Sequence, residues 1–310
     1  MSFADLVSKH TKKKVVGGGD LVVEPLMAFL EKAGSFDSGE RGTALHASQM
    51  YYFCPRAGVL AVLAPPVKTV DATLQAKFDI GHAMHAWYQN RYLGPAGLLK
   101  GTWRCTRCGK AKLGLMPRMH CECHGPCEEC IWPLAARLEK ACQLCYRTPS
   151  SWEYLETKLA WMEAGIVGKC DGILDKSGSI KLNPEDAVLE MKTITPDLFK
   201  GLKDAKDQHK YQCRLYMKMT GLRRGVVLYI DKSADDKVPV KEFEVAYDEA
   251  DAQDAFDKAK MYRTALADHK LPPRIRCSEA GCSRAKYCDM GKLCFDDARV
   301  EELQKAWGVA

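Results

Sequence analysis

Residues 188–192, Val188-Leu189-Glu190-Met191-Lys192, place two charged side chains inside an apolar segment. Alternate side chains of a β-strand share a face, so Glu190 and Lys192 point to the same side of this segment. The apolar side chains between them point to the other side, which puts a carboxylate beside an ammonium at the edge of a core. On its own, this pattern is typical of a surface ion pair. Its neighbours along the chain favour a different role.

A second acidic residue ends the apolar segment Gly168-Lys169-Cys170-Asp171-Gly172. If the two segments form neighbouring strands, Asp171 and Glu190 hold one hard divalent cation through carboxylate oxygens. Such a cation polarises a phosphodiester and lowers the pKa of a bound water. Lys192 is suited to position that water or to stabilise developing charge. The two segments together predict a metal-dependent hydrolytic site.

Two further motifs lie at helical spacing on either side of these segments. His85 follows Gly81 by four residues on an aromatic-rich helix predicted before the strands. Gln212 and Tyr216 are also four apart, and therefore share one face of the helix predicted after residue 192. The sequence thus contains four short motifs in this order: Gly81-x3-His85, Gly168-x2-Asp171-Gly172, Glu190-x-Lys192 and Gln212-x3-Tyr216.

The four ordered motifs resemble the RecB-type branch of the PD-(D/E)XK nuclease superfamily, over about Leu45 to Cys294 apart from a cysteine-rich insertion. The resemblance implies an α/β fold of the restriction-endonuclease type, with helices flanking a mixed central sheet. It also implies a set of catalytic residues and a magnesium or manganese ion. In that set His85, Asp171 and Glu190 ligate the metal, Lys192 is the catalytic lysine, and Gln212 and Tyr216 contact DNA or brace the site. His82 competes with His85, but the motif aligns with His85 and leaves His82 in a supporting or solvent-exposed position.

The order of predicted elements also indicates an α/β class with a mixed sheet. Short helices are predicted for Asp20–Ala33 and Ser48–Leu63, and long ones for Ala72–Leu93, Asp197–Thr220 and Asp248–Asp268. Strands are predicted for Tyr154–Met162, Gly165–Asp175, Ala187–Thr195, Gly225–Ile230 and Lys241–Ala246. We predict three parts: an N-terminal extension (1–44), a nuclease core (45–101 and 150–310) and a cysteine-rich insertion (102–149).

The fifteen cysteines indicate metal thiolates rather than disulfides. The segment Met1 to Val16 is polar and has no apolar signal-peptide region, and no apolar run is long enough to span a bilayer. We therefore expect a cytoplasmic protein, in a bacterium or in the bacterial host of a phage. Disulfides are rare in such a reducing compartment. Cys170 and Cys213 stand apart from both cysteine clusters and are predicted to be small buried hydrophobes.

One early cysteine and four late ones are expected to form an iron–sulfur site. Cys54 lies in a Cys-Pro-Arg sequence, and the late set reads Cys277-x4-Cys282-x5-Cys288-x5-Cys294. This arrangement resembles the CRISPR-associated RecB-type exonucleases and the AddB nuclease domain, whose pattern is one early cysteine plus three late ones. The resemblance implies a [4Fe-4S] cluster, and the ligand set is Cys54, Cys282, Cys288 and Cys294, with Cys277 as the alternative to Cys282. A zinc site on the late four, with Cys54 as a core thiol, is the other interpretation.

The insertion is expected to bind at least one zinc ion, because a Cys-x2-Cys pair stands at each end of its cysteine-rich segment. From Cys105 to Cys145 there are eight cysteines, two histidines and little apolar periodicity. The outer pairs, Cys105 with Cys108 and Cys142 with Cys145, suit one zinc ribbon. A second site is open to the inner four, Cys121, Cys123, Cys127 and Cys130, with His120 or His124 replacing one thiolate. Basic residues surround these pairs and either guide single-stranded DNA or merely solvate the insertion: Arg104, Arg107, Lys110, Lys112, Arg118, Arg137, Lys140 and Arg147.

The overall charge is weak evidence for DNA binding. The formal net charge is +6, but a four-thiolate zinc site and a [4Fe-4S] site each carry about −2, which lowers it to about +2. The functional prediction therefore rests on the motifs and on the resemblance, which implies a metal-dependent DNA exonuclease that acts from ends, prefers single strands and serves recombination or repair. The alternatives are end trimming during CRISPR spacer acquisition, which genomic neighbourhood would separate, and a non-catalytic DNA-binding or assembly module. The resemblance allows a homo-oligomer. Because the sequence has no Gly-x4-Gly-Lys-[Ser/Thr] phosphate loop, strand separation would fall to a helicase or recombination partner.

Overall fold

The computed structural model describes residues 44–66, 72–106, 108–115, 152–233, 239–274, 277 and 279–308. They fall into two compact units. The first contains the described residues within 70–159 and 169–247, and the second contains those within 37–69, 160–168 and 248–310. The predicted helix Asp20–Ala33 and the predicted zinc ligands from Cys121 to Cys145 lie outside the described residues.

The described chain has helices first, then a run of strands, a helical crossover, two more strands and a set of C-terminal helices. The strands are β1 (Leu45–His46), β2 (Leu99–Cys105), β3 (Ala111–Leu115), β4 (Trp152–Leu155), β5 (Thr157–Trp161), β6 (Ile166–Cys170), β7 (Gly172–Leu174), β8 (Ala187–Ile194), β9 (Arg224–Asp231) and β10 (Val240–Ala246). The helices are α1 (Pro55–Leu63), α2 (Ala72–Tyr88), α3 (Pro196–Gly201), α4 (Asp207–Thr220), α5 (Glu249–Ala267), α6 (Ser283–Lys286), α7 (Gly291–Cys294) and α8 (Asp297–Gly308).

The first unit is built on a mixed sheet in the order β10-β9-β8-β7-β2-β3, and β4 pairs with β2 beside this path. Strands β8 and β9 are parallel, and Lys192 pairs with Tyr229 in their register. A parallel pair needs a crossover connection, and here α3 and α4 provide it. The β7–β8, β2–β7 and β9–β10 pairs are antiparallel. Helix α2 contacts β8, and α4 contacts β8 and β9. The predicted α/β class, with a mixed sheet flanked by helices, is confirmed.

Strand β8 separates two differently packed faces. Leu189 and Met191 lie in a buried apolar cluster with Trp103 of β2, and the partly buried Met84 of α2 packs against this cluster. On the other face α4 lies very close to β9. A β-carbon on Gly225 would stand only 2.4 Å from the Cys213 sulfur, so a larger residue there would push the helix away. The alternation of charged and apolar residues in β8 therefore matches two distinct environments.

Several predicted elements are divided, and three strands, β1, β2 and β3, were not predicted. The segment Tyr154–Met162 contains the end of β4 and all of β5, and Gly165–Asp175 contains β6 and β7. Strand β2 was not predicted because Lys100 and Gly101 interrupt its apolar pattern. The predicted start of the cysteine-rich insertion at residue 102 consequently falls inside a strand. Strand β3, which also lies in the predicted insertion, pairs with β2.

Lys100 is accommodated in β2 by a buried ion-pair network. Its ammonium lies 2.7 Å from a carboxylate oxygen of Asp186 and 2.9 Å from one of Asp175. It also donates a hydrogen bond of 3.1 Å to the carbonyl oxygen of Lys181. The Asp186 side chain is fully buried. Because a buried ammonium is tolerated only with such partners, this network holds the connection between β7 and β8 against β2.

The second unit packs α1 against α5 and α7. The Lys258 ammonium of α5 donates a buried hydrogen bond of 3.0 Å to the carbonyl oxygen of Met50. Phe53 and Tyr262 stack edge to face with ring centroids 5.5 Å apart. Arg56 donates a hydrogen bond of 2.8 Å to the carbonyl oxygen of Pro272. These long-range contacts fix the segment around Cys54 against the C-terminal part of the chain. In the described part of the chain no helix combines the length and the apolar character needed to cross a membrane.

We expect Asp186→Asn to lower the free energy of unfolding by about 3 kcal/mol, because it removes the best-buried partner of Lys100. Glu185→Gln removes one carboxylate from the adjacent exposed position and should change stability by less than about 0.5 kcal/mol. Urea unfolding followed by far-UV circular dichroism measures both. Equal stability of the two variants would contradict a structural role for the network.

Candidate functional site

Asp171 occupies the connection between β6 and β7 and is held from two directions. Its carboxylate accepts a hydrogen bond of 2.6 Å from the backbone N–H of Met191 in β8. Its carbonyl oxygen accepts one of 2.7 Å from the side chain of Gln89. Gln89 is buried and begins a π-helical turn, Gln89–Leu93, directly after α2. Such turns are frequent at functional sites. The sequence motifs did not identify Gln89, whose partner is a backbone atom.

His85 projects from α2 onto the same aspartate. Its Nδ1 lies 3.2 Å from Asp171 Oδ1. Burial by itself would lower the pKa of His85, but the hydrogen bond and charge of Asp171, with the charge of Glu190, outweigh it and raise the pKa above its ordinary value. His82, one turn earlier, is exposed. The structure therefore brings His85 together with Asp171, as the motif order predicts, and leaves His82 at the surface.

Glu190 and Lys192 form a close pair on one face of β8. The Lys192 ammonium lies 2.5 Å from Glu190 Oε1. It also donates a hydrogen bond of 3.2 Å to the side-chain oxygen of Gln212. Gln212 in turn donates one of 3.0 Å to the hydroxyl of Tyr216. A continuous chain of hydrogen bonds thus runs from β8 to one face of α4, and it joins the two motifs that the sequence placed in succession.

The Glu190 carboxylate has unused acceptor capacity. Its side chain is 2% exposed, and within the described residues its Oε2 atom has no hydrogen-bond partner. Burial raises the pKa of Glu190 and the charge of Lys192 opposes that rise only in part. Burial also acts to lower the pKa of Lys192, but the charges of Glu190 and Asp171 outweigh it and hold that pKa above its usual value. A buried carboxylate with a free oxygen, beside an aspartate and a histidine, is a donor set that suits a divalent cation.

Glu156 is a member of the site that the sequence motifs did not include. It lies between β4 and β5 with an exposed side chain. Ligand atoms of His85, Glu156 and Asp171 all lie within 4.8 Å of one another. Burial and the charge of Asp171 raise the pKa of Glu156. The sequence separations between Glu156 and the other two residues follow no helix or strand period. Only the tertiary fold brings the three residues together.

His209 and Tyr229 form a second polar pair next to Lys192. The His209 Nδ1 atom lies 2.7 Å from the Tyr229 hydroxyl, which also accepts a hydrogen bond of 2.9 Å from the backbone N–H of Lys206. Burial and the charges of Lys192 and Lys206 lower the pKa of His209 to about 3. The imidazole is therefore neutral at physiological pH and adds no charge beside the lysine. Neither residue belongs to a motif.

The second unit contains a separate cavity of about 560 Å³ lined by thiols. The thiols are those of Cys54, Cys277, Cys288 and Cys294. Cys282 lies beside Cys277: its sulfur accepts a hydrogen bond of 3.4 Å from the backbone N–H of Ala285 and so caps α6. Burial and the neighbouring Cys282 raise the pKa of the Cys277 thiol to about 11, whereas the Ala285 N–H lowers that of Cys282. All five predicted cysteines are thus gathered in this unit.

The remaining described cysteines lie in the first unit. Cys170 and Cys213 are fully buried, as predicted. Burial raises the pKa of the Cys170 thiol to about 12, and that of Cys213 also rises. Cys105 is buried in the apolar cluster at the end of β2, and Cys108 is exposed, with its backbone N–H 3.5 Å from the Cys105 sulfur. The partners predicted for a zinc ribbon, Cys142 and Cys145, lie outside the described residues, so the zinc site stays a prediction.

Comparison with known proteins gives only distant likenesses. No protein-family model matches the sequence, and no curated protein matches it. Among solved structures, SSO0001 is 15% identical with a TM-score of 0.39, and the match covers 87% of this chain and 96% of that one. The alkaline exonuclease LHK-Exo from Laribacter hongkongensis is 11% identical with a TM-score of 0.41, and the match covers 78% and 93% of the two chains. Its complex with dAMP is likewise 11% identical, with a TM-score of 0.39 and coverages of 79% and 93%. At these scores and identities the likenesses assign no function.

The Glu190–Lys192 pair makes a prediction for stability. Lys192→Met leaves a buried carboxylate without its cation and should destabilise the metal-free protein by about 3 kcal/mol, the lower end for a buried pair. The Lys192 side chain is 25% exposed, which limits the cost. Glu190→Gln combined with Lys192→Met removes both charges and should restore stability to about that of the wild type or above it. Urea unfolding in the presence of a chelator measures the series. A double variant no more stable than Lys192→Met alone would contradict the unpaired carboxylate as the cause of the loss.

Proposed function

We propose that this chain is a metal-dependent DNA exonuclease that hydrolyses phosphodiester bonds from DNA ends and prefers single strands. One observation carries the proposal: His85, Asp171, Glu190 and Lys192, which come from α2, the β6–β7 connection and β8, meet in one connected group. A simple surface ion pair consists of two exposed charges. Here the lysine pairs with a buried glutamate, and a fixed aspartate and a histidine lie next to that pair. Residues of three motifs that are separate in sequence but adjacent in space are typical of an active site.

The proposed metal ligands are His85, Asp171 and Glu190, and the ion is magnesium or manganese. The orphaned Oε2 atom of Glu190 supports this assignment, since a buried carboxylate oxygen without a partner is costly. When bound, such an ion polarises the scissile phosphate and supplies hydroxide from water at neutral pH. The Met191 N–H holds Asp171 in place through its Oδ2 atom, while Asp171 Oδ1 faces His85.

Lys192 is proposed to stabilise the negative charge that develops on the phosphate or to orient the attacking water. Its ammonium is fixed between Glu190 and Gln212, and Tyr216 supports Gln212 in turn. Donors that are fixed before the reaction lose little free energy to reorganisation during it. Gln212 and Tyr216 therefore brace the lysine from α4. A role in recombination or repair is the pathway that we propose for this activity.

The thiol-lined cavity is proposed to hold a [4Fe-4S] cluster. Ligands of a single tetrahedral zinc would stand about 3.8 Å apart, given a Zn–S distance of about 2.3 Å. Four thiols line this cavity, which matches the number of ligands that a [4Fe-4S] cluster takes, and no three ligand atoms of the described cysteines lie within 4.8 Å of one another. The cavity favours Cys277 over Cys282 as the fourth ligand with Cys54, Cys288 and Cys294, because Cys277 lines it while Cys282 caps α6. A zinc ribbon with Cys105 and Cys108 remains part of the proposal.

The nuclease assignment predicts loss of activity in two variants. Anaerobically purified wild-type protein should degrade end-labelled linear single-stranded DNA with Mn²⁺ or Mg²⁺ and leave circular single strands intact. Glu190→Ala and Lys192→Ala should each reduce the rate at least about 100-fold, because each removes a group that acts in the transition state. Glu163→Ala and Lys260→Ala delete the same residue types at exposed positions and should stay within about twofold of the wild type.

Equal activity of wild type, Glu190→Ala and Lys192→Ala would overturn the catalytic assignment. DNA binding without metal-dependent cleavage in the wild type would favour the non-catalytic alternative. Cleavage of circular single strands at the same rate as linear ones would contradict the dependence on ends. A parallel assay on RNA of the same sequence measures the preference of the enzyme for deoxyribose over ribose.

The cluster assignment predicts the metal content of cysteine variants. The wild type should contain iron and acid-labile sulfide, and Cys54→Ala, Cys277→Ala, Cys288→Ala and Cys294→Ala should each lose them. Cys282→Ala should retain them, as should the matched control Cys213→Ala, whose thiol is buried in the first unit. Elemental analysis and the visible spectrum measure the outcome. Loss of iron in Cys282→Ala but not in Cys277→Ala would identify Cys282 as the fourth ligand. Zinc without iron in the wild type would exclude the iron–sulfur cluster.

A further inference from the structure

Glu156 stands beside two residues that the proposed function assigns to the metal. One carboxylate oxygen of Glu156, one ring nitrogen of His85 and one carboxylate oxygen of Asp171 lie within 4.8 Å of one another. Within the described residues this is the group of three metal-ligating side chains that approach so closely. The three residues come from the β4–β5 junction, from α2 and from the β6–β7 connection. The fold therefore assembles a mixed nitrogen and oxygen donor set that no sequence motif contains.

The separations suit direct coordination of one ion. Ligand atoms that lie about 2.1 Å from a common octahedral ion stand about 3 to 4.2 Å apart. The three atoms are already close to that range. His85 and Asp171 are fixed by contacts with one another and with β8, whereas the Glu156 side chain is exposed. A small movement of Glu156 alone therefore closes the group around an ion.

The balance of charge at the site also favours a cation. Three carboxylates, those of Glu156, Asp171 and Glu190, act on one another here, and the ammonium of Lys192 pairs with that of Glu190. Glu190 is 2% exposed, and its Oε2 atom has no hydrogen-bond partner within the described residues. Like charges in a largely desolvated position are unfavourable unless a cation offsets them. Lys169 also lies near Glu156, but its side chain is exposed, so solvent weakens its effect.

The geometry points to Glu156 as a further protein ligand, beside His85, Asp171 and Glu190, at the site of the catalytic divalent cation. This inference rests on the proposed nuclease function and adds a residue to it. Carboxylates suit magnesium and manganese, and imidazole suits later transition metals, so the combined set favours Mn²⁺ over Mg²⁺. Glu156 supplies a negative charge at the exposed edge of the site. Retention of Mn²⁺ therefore depends on Glu156.

Binding of Mn²⁺ alone, without DNA, tests this assignment. The full-length protein is titrated with Mn²⁺, and the free ion is followed by electron paramagnetic resonance, with calorimetry as a second measurement. Four variants are compared with the wild type: Glu156→Gln, Glu156→Asp, Asp171→Asn and the matched control Glu163→Gln. Glu163 is exposed in the turn before β6. Circular dichroism and thermal unfolding verify that each variant is folded.

We expect Glu156→Gln and Glu156→Asp each to weaken Mn²⁺ binding at least about tenfold, since even residues that only support ligands cost 10–100-fold. Glu163→Gln should bind like the wild type, and Asp171→Asn should lose the site. Glu156→Asp keeps the charge but shortens the reach. Wild-type affinity in Glu156→Asp with weakened binding in Glu156→Gln would mean that the residue acts only through space, and would overturn ligation. Affinity of Glu156→Gln within about twofold of the wild type would overturn it as well.

The results that would contradict the nuclease proposal differ from those that would contradict the role of Glu156. If the wild type does not bind Mn²⁺, or if Asp171→Asn binds it as well as the wild type does, the nuclease proposal and the role of Glu156 are both wrong. If the wild type binds Mn²⁺ and degrades DNA, but the Glu156 variants bind Mn²⁺ like Glu163→Gln, only the assignment of Glu156 as a ligand is wrong. Binding lost in Glu156→Gln together with retained folding supports both.

Discussion

Burial of the Glu190 carboxylate in the central strand is the constraint on which the rest of the site depends. A carboxylate that is 2% exposed would be strongly unfavourable without a cationic partner. Lys192 supplies that partner two residues later because side chains alternate along β8. Gln212 then fixes the lysine from α4, and Gly225 lets α4 lie close to the sheet. One oxygen of Glu190 nevertheless stays unpaired within the described residues. The fold therefore maintains an unsatisfied acceptor that a divalent cation would use.

Asp171 links this strand to the remainder of the first unit. Asp171 Oδ2 accepts a hydrogen bond from the Met191 N–H, and its Oδ1 atom faces His85. Its carbonyl oxygen accepts a hydrogen bond from Gln89. Helix α2 and the π-helical turn that follows it thus act on the same residue. The Lys100 network holds the connection that leads into β8. Rigid support of this kind keeps ligands in position before metal and substrate bind, which is what catalysis by charge stabilisation requires.

The sequence predicted the part of the site that follows from local geometry. Glu190 and Lys192 share a face because a strand alternates, and Gln212 lies near Tyr216 because a helix repeats every 3.6 residues. The mixed α/β sheet followed from the order of the elements. Strand β2 did not, because Lys100 becomes compatible with a core only through Asp175 and Asp186, which lie far away in sequence. Glu156 and Gln89 were not predicted for the same reason, since each acts through a partner that only the tertiary fold brings close.

A crystal of the protein soaked in Mn²⁺, with anomalous scattering recorded at the manganese edge, tests the central claim most directly. The account predicts one strong anomalous peak in the first unit, about 2–2.5 Å from ligand atoms of His85 and Asp171 and next to the free oxygen of Glu190. Occupied density there would show that the buried carboxylate, the fixed aspartate and the histidine form a metal site. A saturated soak that leaves His85 in direct contact with Asp171, with manganese bound elsewhere or not at all, would contradict it.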